Sequence, residues 1–266
     1  MIDALLPLRR LSRAARHTPE AARAVRWRSA WAGTEGEGIA IGLLDAAFDA
    51  GHPDLAGADL AFREFAAAVP AAPHSHGTCS VTTLLGQGRR LVRGIVPRAS
   101  LRVASVVGPD GIASDLAVAR AIEWLAAEGV RLIMIPLGGS RASRTVRAVI
   151  RHAADAGTIC FAAYGSATSA AGLFPARDPA AISVAAADDG GALCFAPPPA
   201  YPPDLIAPGW NITVALRRSY AARVSGSSLA TVFAGGLAAR AVAASVPGAG
   251  RLCRKGLLAL LLAHHH

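Results

Sequence analysis

Ser225-Gly226-Ser227-Ser228-Leu229-Ala230, with an apolar, Ala-rich run behind it over 231–245, is the stretch on which the reading of this chain turns. Small residues and a glycine permit a sharp turn, and the Ala-rich run favours a helix. A hydroxyl at that junction stands at the positive end of the helix, where backbone N–H groups lack intrahelical acceptors. Two readings are open locally. Serine is a preferred helix cap, and serine is also a nucleophile once a base activates it.

Outward from that junction the chain alternates between two kinds of segment. Ile39-Ala40-Ile41-Gly42-Leu43-Leu44 is an uninterrupted apolar run ending in Asp45. Such a run suits a strand buried on both faces of a parallel sheet. An acid at the carboxyl end of that strand stands where open α/β sheets place their sites, although Asp45 read locally is equally a turn residue or a cap. A second strand is predicted over 60–65 and, after an Ala/Pro-rich loop, a helix from His76 through Val81, Leu84 and Leu85. Strands at 101–107, 130–135, 158–163 and 181–187 then alternate with helices at 114–128 and 143–156, the pattern of βαβ units. Residues 211–216 and 223–224 are predicted to pair as a hairpin, and a final helix starts near 251. Residues 18–31 read as a helix, with Pro19 in its first turn. The prediction is one α/β domain over residues 1–263, a three-layer sandwich with a mainly parallel central sheet flanked by helices. Residues 1–34 form its helical N-terminal extension, and His264-His265-His266 is the remnant of a purification tag.

Composition narrows the classes. A chain of 266 residues with 53% hydrophobic content buries one sizeable core. No apolar run is expected to reach the length of a bilayer span, since 256–263 is too short. In the first sixteen residues the arginines follow the apolar patch, the reverse of a signal peptide, so a cytoplasmic location and no membrane partner are expected. The formal charge is +9, and Lys255 is the single lysine. Arg9, Arg10, Arg13, Arg16, Arg23, Arg26 and Arg28 form one basic cluster, and Arg89, Arg90, Arg93, Arg98 and Arg102 another. The basic clusters allow a surface for an acidic leader peptide or a nucleic acid, but no helix-turn-helix, zinc-finger or aromatic-basic signature accompanies them, so a solvated face is the expected reading. Cys79, Cys160, Cys194 and Cys253 include no CxxC pair; free thiols are expected rather than a metal site or a disulfide framework.

Asp45, His76 and Ser228 stand in one of the chain orders known for a catalytic triad. Their contexts agree with that order. His52-Pro53-Asp54-Leu55 follows the Asp45 strand, His76-Gly77-Thr78 surrounds the histidine, and Gly226-Ser227-Ser228-Leu229-Ala230 surrounds the serine. Gly94-Ile95-Val96-Pro97, the strand over 133–139 ending in Leu137-Gly138-Gly139, and Ile206-Ala207-Pro208-Gly209 lie between or beyond them in sequence. On these motifs the chain resembles the subtilisin-like serine peptidases, over residues 27–262. The resemblance implies a serine endopeptidase acting on a peptide or protein substrate. Ser228 attacks the carbonyl, His76 is the general base, Asp45 orients the imidazole, and the Ser228 N–H donates to the oxyanion. It also implies that Leu137, Gly138 and Gly139, with Ala162, Ala163, Tyr164 and Gly165, flank the substrate and pair with its backbone.

The chain departs from the family pattern in several places. Ser166 stands where the family has the oxyanion asparagine, and a hydroxyl is a shorter donor; Asn211 is a neighbouring residue able to substitute. Asp45-Ala46-Ala47 replaces a hydroxyl residue followed by glycine, and Cys79 replaces the second histidine of the His motif. Tyr164 stands where a small residue is usual and suggests a remodelled pocket. Asp54 matches a calcium ligand of secreted relatives, but Gly86-Gln87-Gly88-Arg89-Arg90 offers arginines where further oxygens are needed. No cofactor is therefore expected, and Asp54 reads as a turn-stabilising group. Fewer than about forty residues precede the core, which fits a protease without a large inhibitory pro-segment, dedicated to one precursor peptide. The alternative from another class is a catalytically impaired pseudoprotease serving as a peptide-binding module.

Overall fold

The computed structural model describes residues 23–24, 33–66, 74–165, 173–188, 191–194, 201–245 and 252–262. Ten strands and five helices occur among them: β1 Arg23–Ala24, β2 Ala40–Asp45, β3 Leu60–Glu64, α1 Ser75–Leu85, β4 Ser100–Ser105, α2 Asp115–Ala127, β5 Leu132–Ile135, α3 Arg144–Ala156, β6 Ile159–Ala163, β7 Ala181–Ala187, β8 Leu205–Pro208, β9 Ile212–Ala215, β10 Ala221–Val224, α4 Ser227–Ala244 and α5 Arg254–Leu262. Eight strands form one sheet in the order β1-β8-β7-β6-β5-β2-β4-β3. Every described pairing in it is parallel. β9 and β10 pair antiparallel as a separate hairpin, as their sequence predicts. The α/β class and the flanked parallel sheet agree with the expectation from sequence.

Both faces of the sheet are covered, which is why its inner strands are apolar without alternation. Leu43, Leu101, Val103 and Met134 face one core with Val81, Leu84 and Leu85 of α1, most of α4, and Leu257 and Leu261 of α5. Leu44, Ala104, Ile133 and Ile135 face the other, with Ala117, Ala121, Ile122 and Leu125 of α2 and Val146, Ile150 and Ala153 of α3. Ser114 caps α2 by accepting from the Ala117 N–H, and Ser143 caps α3 by accepting from the Val146 N–H. α4 is apolar on nearly every side because it runs through the protein. It lies so close to β5 that a Cβ on Gly235 would come within 2.5 Å of the Met134 sulfur.

Three expectations are corrected. Arg23–Ala24, which the local pattern puts in a helix over 18–31, is a strand that pairs with Leu205 and Ile206. The open edge of β8 offers backbone partners that a local helical pattern cannot anticipate; the rest of that helix, and the tag remnant, lie outside the described residues. β8 itself occupies a segment whose sequence signals only an Ala-Pro-Gly turn. Finally, α4 does have the length and mean hydropathy, 1.3 over 18 residues, of a membrane span, but 78% of that window is buried inside the protein.

Candidate active site

The sheet delivers Asp45 to its carboxyl edge. β2 is the strand from which the chain builds outward in both directions, to β4 on one side and β5 on the other. Ligand crevices form at such switch points. Asp45 is fully buried there. Its Oδ1 accepts from the Ala46 N–H at 2.6 Å and from His76 Nδ1 at 2.7 Å. An ionised carboxylate only accepts, so His76 carries its proton on Nδ1 and leaves Nε2 as the basic nitrogen.

His76 sits in the first turn of α1, and His74, Asp49 and Thr78 hold that turn. His74 caps the helix: its Nδ1 accepts from the His76 N–H at 3.0 Å. Thr78 Oγ1 donates to the His74 carbonyl, and the Asp49 N–H donates to Thr78 Oγ1. Desolvation, followed by the nearby His76, lowers the His74 pKa below its ordinary 6.5. The neutral form able to cap is thus favoured in the folded state, and the cap is present above that range and lost as pH falls through the lowered value. Cys79, one turn along, is buried, and desolvation followed by the charge of Asp45 pushes its thiol up to about 12. It is an inert neighbour of the site.

Ser228 is the second residue of α4 and is half-buried. It shares a small cavity with His76, Ser80, Ser225 and Leu229. Gly226, not a serine, holds the cap position, with no side-chain cap bond. The first turn leaves the Ser228 N–H without an intrahelical acceptor. The other two hydroxyls of the stretch have structural partners: Ser225 Oγ accepts from the Asn211 N–H at 2.8 Å, and Ser227 Oγ from the Gly165 N–H at 3.1 Å. Ser227 is a site residue that sequence reasoning missed. It ties the turn after β6 to the start of α4, and its place before Ser228 in the motif was the available signal. Ser166 lies outside the described residues. Asn211, the expected substitute donor, occupies a left-handed turn (φ 55°) and is not among the residues lining the Ser228 cavity.

The expected substrate-pairing segments divide. Leu137, Gly138 and Gly139 line an open pocket with Val107, Ile112 and Phe174. Gly139 has its own partner, exchanging backbone bonds with Phe174. Ala162 has no free edge for a peptide backbone, because it stands in register with Ile135 of β5 and Ser183 of β7; Ala163 is in register with Val184 of β7. Tyr164 uses its N–H on the Val184 carbonyl and its carbonyl on the Leu173 N–H. Its ring packs with Ala185, Leu193 and Ile206, and its hydroxyl donates to the Tyr201 carbonyl. Burial pushes that phenol up to about 12. The tyrosine fills a core cluster rather than remodelling a pocket.

The residues that resemble a calcium site do not fit the ion. Asp54 is fully buried, and both its carboxylate oxygens are occupied. Oδ1 accepts from the Arg90 N–H at 2.6 Å, and Oδ2 from those of Leu91 and Val92 at 2.9 and 3.0 Å. Burial pushes the carboxyl up, but these three donors outweigh it and hold the pKa below the usual carboxylate range. Among the described residues no cluster of three His, Cys, Asp or Glu side chains could hold a metal. Asp54→Asn turns an amide NH2 toward backbone donors and is expected to lower stability by about 2 kcal/mol, seen as a lower Tm. Calcium or a chelator is expected to leave the wild-type Tm unchanged; a calcium-dependent rise would reverse this assignment.

Residues 36–250 match the sequence profile of the subtilase family. Subtilisin BL from Lederbergia lenta is 29% identical over 213 residues, covering 78% of this chain and 77% of that protein. Thermitase from Thermoactinomyces vulgaris is also 29% identical over 213 residues, with 79% and 76% covered. Among solved structures, the prenylagaramide maturation protease PagA superposes with a TM-score of 0.72 at 28% identity, covering 80% of this chain and 79% of that one. A point mutant of the protease domain of PatA, at 24% identity, shares the fold with a TM-score of 0.70 over 92% and 98% of the two chains.

Proposed function

Since this chain belongs to the subtilase family and is a subtilisin-like serine endopeptidase, we propose that Asp45, His76 and Ser228 are its triad and that it processes a precursor peptide. The observation that carries the triad is the 2.7 Å contact from His76 Nδ1 to a fully buried Asp45, on a histidine that shares a cavity with Ser228. His76 Nε2 takes the Ser228 proton as Oγ attacks the scissile carbonyl, and Asp45 stabilises the imidazolium that forms. The imidazolium returns the proton to the leaving amine, an acyl-enzyme remains, and water attacks it by the same base route. The Ser228 N–H at the start of α4 donates to the oxyanion.

Precursor processing is supported by the likeness to the prenylagaramide maturation protease PagA. The pocket beside Leu137, Gly138 and Gly139 is suited to an apolar side chain, with Asp115 and Arg141 also lining it. The four cysteines are free, which fits action in the reducing cytoplasm. Incubation with synthetic precursor peptides and mass analysis of the products tests the substrate: one dominant cut is expected, and indiscriminate digestion of unfolded proteins argues for a general degradative role. The oxyanion side is tested at Ser166. Restoring the amide with Ser166→Asn is expected to raise kcat at least about tenfold with little change in KM, out of the roughly 10²–10³ that this donor is worth in subtilisin itself. An unchanged or lower rate shows that another group already fills the role.

A further inference from the structure

Three buried side-chain polar atoms have no hydrogen-bond partner among the described residues: Asp45 Oδ2, Ser105 Oγ and His52 Nε2. Two of the three are neighbours. Asp45 and Ser105 are register partners on the adjacent parallel strands β2 and β4. Their side chains therefore leave the same face of the sheet, with backbones about 4.8 Å apart. That face carries α1 and α4, because Leu43 and Val103, two residues earlier on each strand, both belong to the core on that side. Asp45 and Ser105 are each fully buried. One has an acceptor lacking a donor; the other has a hydroxyl lacking any partner.

We propose that Ser105 is a positioning residue for the peptidase reaction, its hydroxyl turning about χ1 to donate to Asp45 Oδ2. The inference rests on the triad reading above. Oδ1 is already fixed between the Ala46 N–H and His76. With Oδ2 unheld, the carboxylate can swing about its own Cβ–Cγ bond and carry the histidine contact with it. A buried carboxylate oxygen with no donor is also costly, and the partnerless Ser105 hydroxyl, in register one strand away, is able to supply one. Ala46 gives its N–H but has no hydroxyl, so the donor comes from the neighbouring strand instead. On the far side of Ser105, Glu64 is also in register, but its Oε1 already accepts from the Phe65 and Ala66 N–H groups.

Ser105→Ala and Ser105→Thr test this with two readouts. The first is the rate of Ser228 labelling by a fluorophosphonate; the second is the low-field proton resonance of His76 Nδ1–H. Ser105→Ala is expected to slow labelling about tenfold and to shift the resonance, with a fall in Tm because Asp45 Oδ2 is left buried without a donor, and Ser105→Thr is expected to restore all three. A resonance and labelling rate equal to wild type in Ser105→Ala overturn the inference, as does a lower Tm with the resonance unmoved. Absence of labelling in the wild type removes the triad reading and this inference together, whereas a labelled wild type with an indifferent Ser105→Ala removes this inference alone.

Discussion

Ser228→Ala is expected to leave the protein folded and to lower kcat by a factor on the order of 10⁶, the loss that follows removal of the nucleophile in subtilisin itself. Fluorophosphonate labelling, strong in the wild type, disappears with it. The residue is half-buried at the first turn of α4, and its hydroxyl fills no cap position, so unfolding stability should change by no more than about 0.5 kcal/mol. Specificity for this serine follows from its neighbours. Ser225 and Ser227 each accept a backbone N–H, from Asn211 and Gly165, and Ser228 lines the cavity with His76. Persistent labelling of Ser228→Ala would place the nucleophile elsewhere in the stretch. A folded wild type that does not label at any pH near neutral would instead favour the peptide-binding pseudoprotease.

The parts of this site that were legible in the sequence are those written in short runs. The apolar six before Asp45 announces a doubly covered strand, and the run behind Ser228 announces a helix, because burial on all sides leaves no polar alternation to confuse either. β8 escapes notice because Pro208 and Gly209 mark a turn, although the three residues before them are buried in the sheet. β1 is hidden because its partner strand lies about 180 residues away in sequence, beyond the reach of any local pattern. The same limit conceals the surroundings of each acid. Asp54 is recognisable as a turn residue, yet its donors come from Arg90, Leu91 and Val92. Nothing near Asp45 in sequence points to Ser105; only strand register brings them side by side.

Gly77→Ala is expected to damage both stability and rate while leaving every proposed catalytic side chain in place. A Cβ at Gly77 would lie 2.3 Å from the Ala46 carbonyl oxygen and 2.7 Å from that of Ala47. Both are backbone atoms just beyond the end of β2, so no side chain can rotate away to make room. The clash is relieved only if the first turn of α1 moves off the sheet. That displacement is expected to cost about 3 kcal/mol, read as a fall in Tm, since it opens a tightly packed contact. It also acts on chemistry, because Gly77 adjoins His76 and Ala46 adjoins Asp45. Movement of about 1 Å between catalytic groups is worth on the order of 10² in rate. In the fraction that remains folded, kcat should therefore fall about a hundredfold. Ser105→Ala, by contrast, removes one hydroxyl without a backbone clash and is expected to slow the reaction about tenfold with a smaller fall in Tm. If Gly77→Ala loses stability but labels at the wild-type rate, then the close packing of α1 on β2 serves the fold alone, and the 2.7 Å contact between Asp45 and His76 survives without it.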